Sequence, residues 1–566
     1  MSKTIAIGAQ DFASLRENDC FYIDKTSFIK EWWDSGDCVT LITRPRRFGK
    51  TLNMSMLDYF FSNKHSDRGD LFEGLDIWRD DEYRTLQGSY PVIFLSFAGV
   101  KFTSFEETRK MLNTMMLSLY NQHREMFKSD IFSDGDREIF NRVSIDMADA
   151  DSSNSLNHLC EWLYRYYGKK CIVLLDEYDT PMQEAYINGF WDEMTAYIRA
   201  LFNNTFKTNP YLERAVLTGI TRVSKESIFS DLNNLAVVTT TSHEYETAFG
   251  FTEEEVFKAM DEQGIDPAEK EKVKFWYDGF TFGRVSDIYN PWSVTMYLDK
   301  GKYDTYWANT SSNGLVGKLI REGAADVKVE FETLLSGGCI ETEIDEQIVF
   351  NQLDEDENAI WSLLLAAGYV RVVELLQDSP EDIPVYRLKL TNFEVKQMFE
   401  KMVRRWFSKN RGFTKFVSAM LRGDEREMNL YMNDVALATF SYFDTGKDPS
   451  RQKAPERFYH GFVLGLMVDR HKDYLLKSNR ESGYGRYDVV MEPKSADSLS
   501  PAVIIEFKVQ DTEYGEKSLE DTAMNALKQI EEKKYETDLL QKGISEENIL
   551  KYGFAFQGQK CLIRKG

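Results

Sequence analysis

The sequence predicts an α/β protein of several domains, and three stretches carry that expectation. Cys38 to Thr51, CVTLITRPRRFGKT, sets a short β-branched run before a glycine-closed loop and an apolar-periodic segment. Cys171 to Asp179, CIVLLDEYD, is the strongest strand signal in the chain and runs directly into acids. Near the C-terminus, two strand-like runs, one around Asp488 and one from Ala502 to Val509, carry carboxylates and a lysine in apolar surroundings. With 566 residues the chain is too long for a single core, and roughly two to four domains are expected.

Composition narrows the class. An apolar fraction of 42% and an aromatic fraction of 14% are ample for globular cores. No apolar run reaches the length of a bilayer span, and MSKTIAIGAQDF lacks the apolar centre of a signal peptide. Cysteines at 20, 38, 160, 171, 339 and 561 form no C-x-x-C pair, and the six histidines show no metal-ligand spacing. Reduced, buried thiols in a cytoplasmic protein are expected, with neither a disulfide nor a zinc framework. A net charge of −23 argues against nonspecific coating of nucleic acid while leaving room for a local basic cleft.

Taken in order, the first forty residues offer Phe12, Leu15, Tyr22 to Thr26 and a helix-like Ser27 to Ser35, a lead-in to the first strand. Val39, Leu41 and Thr43 alternate with Thr40 and Ile42 in a buried strand. After the loop and Gly49-Lys50-Thr51, a helix from Leu52 to Phe61 presents Leu52, Met54, Leu57, Phe60 and Phe61. Strand, loop, Gly-Lys-Thr and helix make a phosphate-binding loop. Backbone N–H groups over Arg46, Arg47, Phe48 and Gly49 converge with the helix N-terminus on an anion, Lys50 adds a charge, and the Thr51 hydroxyl suits Mg²⁺. The first glycine of G-x-x-x-x-G-K-[ST] would fall at 44, where Arg44 stands before Pro45. Pro45 has no N–H to give, and an arginine is ill suited to a glycine-only conformation. By spacing alone a basic turn before a helix fits as well.

Tyr90 to Val100 reads as a second buried strand, with helices over Phe105 to Phe127 and Asp151 to Tyr167. The CIVLL strand then delivers Asp176-Glu177 to the carboxyl edge of a parallel sheet, the Walker B pattern. Asp176 would hold Mg²⁺ through water and Glu177 would polarise the attacking water. A strand ending in an acidic turn is the bland reading, and the upstream Gly-Lys-Thr weighs against it. A helix from Trp191 to Phe202 leads to a strand from Arg214 to Thr218 and then Gly219-Ile220-Thr221-Arg222. Thr218, Thr221 and Arg222 are candidate γ-phosphate sensors, against ordinary turn chemistry.

RPRRFGKT, LLDEYDTP, LTGITRVSKESIFSDLNNL and FWYDGF followed by YNPWSV occur in that order. Together they resemble the bacterial AAA-ATPase-like family whose members carry a C-terminal PD-(D/E)XK nuclease-superfamily domain. The resemblance covers nearly the whole chain. It implies a P-loop ATPase domain that binds ATP and Mg²⁺, and RPRRFGK[ST] is that family's own form of the loop. Its Arg44 therefore departs from the general pattern but not from the family's.

Beyond the ATPase part, the aromatic-rich Trp276 to Trp307, with Asn290-Pro291 starting a helix, is expected as a lid or all-helical extension. Ile340 to Glu357 holds eight acids and no Lys or Arg and reads as a solvated connector. Ala359 to Val373 reads as helix, turn and strand, resembling a winged-helix-like spacer. Lys401 to Arg422 has seven Lys or Arg and no acid, a solvated helical face or a nucleic-acid contact. Glu456 to Met467 is helical.

The C-terminal hairpin has the chemistry of a nuclease core. Glu506 and Lys508, two apart on a strand, face the same way, and Asp488 on the preceding strand can come alongside. Paired carboxylates in an apolar sheet are costly unless they share a cation, and hard oxygens with open positions suit Mg²⁺, with Mn²⁺ as a substitute. Lys508 would orient the water or stabilise developing charge. A helix from Leu519 to Tyr535 and a strand from Tyr552 to Phe556 follow. The resemblance implies Asp488, Glu506 and Lys508 as the triad, with Gln529 and Tyr535 where the superfamily often has a polar contact to substrate or its water. Glu456 is either a further ligand or a surface carboxylate.

The expected organisation is an ATPase domain over 1–285, a lid and connector over 286–400, and a restriction-endonuclease-like α/β domain over 401–566. The expected function is ATP-regulated, Mg²⁺-dependent cleavage of nucleic acid; a regulatory module that binds nucleic acid or a protein without cleaving is the alternative. Homo-oligomerisation is left open.

Overall fold

The computed structural model describes residues 3–221, 228–229, 232–308, 316–317, 319–320, 325–346, 359–377, 383–407, 413–433, 465, 470, 472–482, 485–495, 500–510, 516–557 and 560–566. Side chains of 325, 406–407, 413, 478–482 and 485–488 are not part of that description. The chain divides into two units, Met1–Ser311 with Cys339–Val395, and Ser312–Gly338 with Lys396–Gly566.

The first unit is built on five parallel strands, β1 (Val39–Thr43), β2 (Val92–Ser96), β3 (Cys171–Asp176), β4 (Leu212–Gly219) and β5 (Leu235–Val238). Their order is β2-β3-β4-β1-β5. Every residue of β1 and β3 is buried, which is why both read as continuous apolar runs. The register pairs Ile42 of β1 with Thr218 of β4, and Leu217 of β4 with Leu175 of β3. Strand β4 therefore lies between the loop-bearing and the acid-bearing strand, and all three carboxyl ends reach one edge. That edge is where open α/β sheets hold ligands. Helix Lys50–Phe61 starts behind Gly49, whose φ of 81° makes the sharp exit from the loop. Helix Asp149–Tyr167 ends at Gly168 in the left-handed conformation and hands the chain to β3. The helix expected over Phe105 to Phe127 ends at Gln122 and continues as a 3₁₀ turn, Arg124–Lys128.

The aromatic-rich stretch differs from the helical expectation. Strands β6 (Phe251–Thr252), β7 (Asp278–Phe282) and β8 (Val285–Tyr289) form a small antiparallel sheet ordered β6-β8-β7. Phe280 and Phe282 sit two apart on β7, and both rings pack on Phe48 of the loop after β1, at 4.7 and 5.3 Å between centroids. The strand period serves that contact better than a helix could. The helix after it, Pro291–Lys300, forms as expected, capped by the Asn290 side chain and opened by Pro291.

The acid-rich connector is also corrected. Its first residues form β9 (Ile340–Glu343), which joins β10 (Val370–Gln377) and β11 (Val385–Leu390) in the order β10-β11-β9. Ile340 and Ile344 are buried. Glu346 accepts from the Thr239 and Thr240 hydroxyls and from Thr241 N–H. Alternation of isoleucine with acid, not acidity overall, is the signal that decides here. Positions 347–357 lie outside the described residues.

The second unit carries a mixed sheet, β12 (Tyr474–Ser482), β13 (Gly485–Pro493), β14 (Ala502–Val509), β15 (Ile549–Gln557) and β16 (Lys560–Lys565), in sequential order. Only β14 and β15 pair in parallel, and helix Leu519–Lys533 makes the crossover that such a pair requires. The helix expected at Glu456 to Met467 falls outside the described residues except for one position. The six cysteines are unpaired; Cys160, Cys171 and Cys561 are buried as expected, while Cys38 and Cys339 are exposed. Among the described residues no helix is long and apolar enough to cross a membrane.

One acid of the small sheet gives the first unit a pH dependence. Burial, then a hydrogen bond and charge from Asp287, push Asp278 up to about 7, against Lys274 and the Gly279 N–H. The unfolded chain loses this proton near pH 4, the folded chain not until about 7. Stability from this group is therefore full in acid and lost as pH rises through 7. Thermal melts from pH 4 to 8 should show this decline in the wild type and a flatter profile in Asp278→Asn.

Candidate nucleotide and nuclease sites

The loop between β1 and helix Lys50–Phe61 accommodates its two arginines and proline without a glycine at 44. Left-handed backbone falls instead at Arg47, φ 65°, and Gly49, φ 81°. Arg44 is fully buried, its guanidinium donating to the carbonyls of Thr43 at 3.0 Å, Thr239 at 2.5 Å and Glu244 at 3.3 Å. Its charge also lies 4.6 Å from the centre of the Phe282 ring. Burial draws the Arg44 pKa down to about 10, and Glu346 is the strongest of the acids opposing that. The residue in the missing-glycine position is thus a clamp between the loop and the chain after β5. Sequence reasoning gave it no such role.

Lys50 is buried, and its ammonium donates to the carbonyls of Arg44 and Pro45, both at 2.9 Å. Burial lowers its pKa, against the nearby charges of Glu177, Asp176 and Asp179. At the end of β3, Asp176 accepts from the Thr51 hydroxyl at 2.7 Å and the Thr218 hydroxyl at 2.6 Å. The Ser96 hydroxyl lies at 3.5 Å. Burial raises the Asp176 pKa and those hydroxyls pull it back. Lys50, Thr51, Asp176 and Thr218 are therefore gathered at one point by β1, β3 and β4. Glu177 follows in the left-handed region, φ 50°, with the Thr180 hydroxyl 3.3 Å from its carboxylate. That conformation is uncommon for a residue with a β-carbon.

Asp179, given no role from the sequence, is 1% exposed and accepts from the backbone N–H groups of Ile220 and Thr221 at 3.0 and 3.1 Å. Its Gln183 neighbour donates to it and accepts from Arg46. Thr221, a candidate sensor, has its hydroxyl 3.3 Å from the Asp179 carboxylate, so it also serves to hold that acid. Gly219 allows the close approach, since a β-carbon there would meet the Tyr178 ring at 2.6 Å and the Asp179 carboxylate at 2.8 Å. Arg222 lies outside the described residues.

In the second unit, Glu506 is buried on β14 and Lys508 is half-buried two residues on. The Gln529 amide, from helix Leu519–Lys533, donates to Glu506 and, at 3.1 Å, to the Tyr535 hydroxyl. The helix can come this near because Glu506 pairs with Gly553 of β15, and a β-carbon at 553 would sit 2.3 Å from the Ala523 carbonyl. The pairing of β13 with β14 ends at Val489 and Ile505, the residues next to Asp488 and Glu506. The Asp488 side chain and the whole of Glu456 are outside the described residues. Among the described residues no group of three or more His, Cys, Asp or Glu is placed to hold a metal. The basic run divides between helices Phe393–Phe407 and Phe413–Arg422, and Arg422 pairs with Glu427 at 2.8 Å.

Two separate stretches of the chain match known families. Residues 6–229 match a family described as predicted AAA-ATPase, and residues 454–566 match the PD-(D/E)XK nuclease superfamily. A protein of Azotobacter chroococcum mcd 1, known as an uncharacterized protein in the vnfD 5′ region, is 25% identical over 400 residues. That covers 70% of this chain and 68% of the relative.

If Arg44 is a clamp, Arg44→Leu keeps an apolar side chain but leaves buried carbonyls without donors. Unfolding of the first unit should become easier by about 1–3 kcal/mol, read from denaturant midpoints. An unchanged midpoint would mean the guanidinium is dispensable.

Proposed function

From a domain matching predicted AAA-ATPases and a domain matching the PD-(D/E)XK nuclease superfamily, we propose an ATP-binding and ATP-hydrolysing protein whose C-terminal domain cleaves nucleic acid in a Mg²⁺-dependent reaction. The observation that carries the nucleotide half is Asp176, held between the Thr51 and Thr218 hydroxyls beside Lys50. The residues fit Mg²⁺-ATP: a hydroxyl and a carboxylate are the hard oxygen donors that Mg²⁺ takes, and they stand behind a loop rich in N–H donors. When bound, the ion would neutralise phosphate charge as it develops.

The chain's own residues divide the remaining tasks. Lys50 exchanges loop carbonyls for phosphate oxygens, charge-assisted acceptors that bind it more strongly. Thr218 holds the orientation of Asp176 while leaving the other carboxylate oxygen to Thr51. Glu177 is the general base for water, and Thr221 and Arg222 are assigned to phosphate sensing. In the C-terminal domain Asp488 and Glu506 would hold Mg²⁺ or Mn²⁺, with Lys508 acting on the attacking water. Gln529 and Tyr535 orient Glu506, which the amide contact supports. The domain division 1–285, 286–400 and 401–566, and a cytoplasmic setting, belong to the same proposal.

Three measurements test it. Lys50→Ala should abolish ATP binding with the circular dichroism spectrum unchanged. Glu177→Gln should still bind ATP and turn it over about 10²–10⁴-fold more slowly. Labelled DNA and RNA, incubated with and without ATP and with Mg²⁺ or Mn²⁺, should be cut by the wild type and not by Glu506→Gln. Retention of nucleic acid without cleavage under every metal condition would make the C-terminal domain a binding module.

A further inference from the structure

The YNPWSV stretch and the aromatic chain after it have no part in the nucleotide chemistry just assigned, yet they grip the phosphate loop. The Arg46 carbonyl accepts from Trp307 Nε1 at 3.0 Å and from Asn290 Nδ2 at 3.4 Å. One residue on, the Arg47 guanidinium lies 4.4 Å from the centre of the Trp292 ring. Two successive loop residues are thus held from one side by one segment.

That segment has its own anchor. Glu394 is fully buried and accepts from Trp307 N–H at 2.6 Å, Ala308 N–H at 3.2 Å and the Ser293 hydroxyl at 2.7 Å. The Asn290 side-chain oxygen is taken by Trp292 N–H at 2.9 Å and Ser293 N–H at 3.2 Å, which leaves its amide free to turn to Arg46. Glu394 is fixed in turn by its neighbours. The Phe393 ring packs 4.7 Å from both Phe275 and Trp276, and Asn392 donates to the Tyr277 carbonyl at 3.2 Å.

The peptide plane converts this grip into a direction. In a trans peptide the carbonyl of residue 46 and the N–H of residue 47 point opposite ways. Holding the Arg46 carbonyl toward Trp307 therefore turns the Arg47 N–H away from it. The left-handed φ of 65° at Arg47 is unfavourable for a non-glycine residue and persists only where the surroundings enforce it. We infer that Trp307 and Asn290, anchored through Glu394, are positioning residues that hold the Arg46–Arg47 peptide with its N–H directed at a bound phosphate. The identity of that anion rests on the nucleotide reading; the latch itself does not.

The test uses the full-length chain. Trp307→Phe keeps a ring against Phe280 and Tyr369 and removes the indole N–H. Glu394→Ala removes the anchor, while Glu394→Gln keeps an acceptor for both backbone N–H groups and offers an amide to Ser293. Hydrogen exchange is followed in nucleotide-free protein for the peptide spanning Arg46 to Phe48, alongside peptides of β1 and β3, and ATP affinity is measured by calorimetry. Trp307→Phe and Glu394→Ala should speed exchange in the loop peptide alone and weaken ATP binding, each by about tenfold. Glu394→Gln should match the wild type in both. Unchanged loop exchange in Trp307→Phe would overturn the latch. So would faster exchange spread evenly over β1 and β3 that Glu394→Gln shares, because that is the mark of simple packing. If the loop responds as expected but the wild type binds no ATP, the latch stands and the nucleotide reading falls.

Discussion

A buried ammonium governs the edge of the first sheet. Lys50 sits among carbonyl dipoles of its own loop, and the acids in its field hydrogen-bond elsewhere, to hydroxyls and backbone N–H groups. Keeping a cation in low dielectric is costly unless nearby charges oppose the cost and the dipoles it bonds cannot move away. The rest of the unit supplies that rigidity. Arg44 pins the loop's first residue, the Phe280 and Phe282 rings hold Phe48, and Gly368 lets Pro45 approach so closely that a β-carbon there would meet it at 2.8 Å.

Asp176 is held by the Thr51 and Thr218 hydroxyls, donors that fix a carboxylate without neutralising it. Burial raises the Asp176 pKa, and the two hydroxyls offset part of that rise. A carboxylate oriented in this way retains its demand for a cation, whereas one tied to arginine would not. Elsewhere in the chain acids are tied so: Asp136 to Arg165, and Glu520 to Arg564.

How much of this was legible in the sequence depended on how far apart the partners lie. Strands β1 and β3 and helix Lys50–Phe61 could be read directly, because full burial writes continuous apolar runs and the Gly-Lys-Thr chemistry is contiguous. Thr218 was legible as a polar residue ending a strand. Arg44 was not, since a buried guanidinium and a basic turn look alike locally and its carbonyl partners lie 195 and 200 residues away. Glu346 was hidden among eight acids, nothing in the charge pattern marking which one would meet Thr239. The small sheet around Phe280 looks helical in the sequence because aromatic density masks its period of two. In the second unit the strand carrying Glu506 and Lys508 was plain, and Gln529 came through a family resemblance. The clearance at Gly553 could not be read from one chain.

That clearance has a consequence of its own. The distance between the Glu506 carboxylate and the Gln529 amide is set by the absence of one methyl group on a neighbouring strand. Any side chain at 553 would act as a wedge, lifting the crossover helix from the sheet by its Ala523 carbonyl while leaving both chemical partners intact. Position 553 is therefore a place where the geometry of the site could drift in evolution without a change in any functional group, and where sequence comparison confined to acids and lysines would miss the loss.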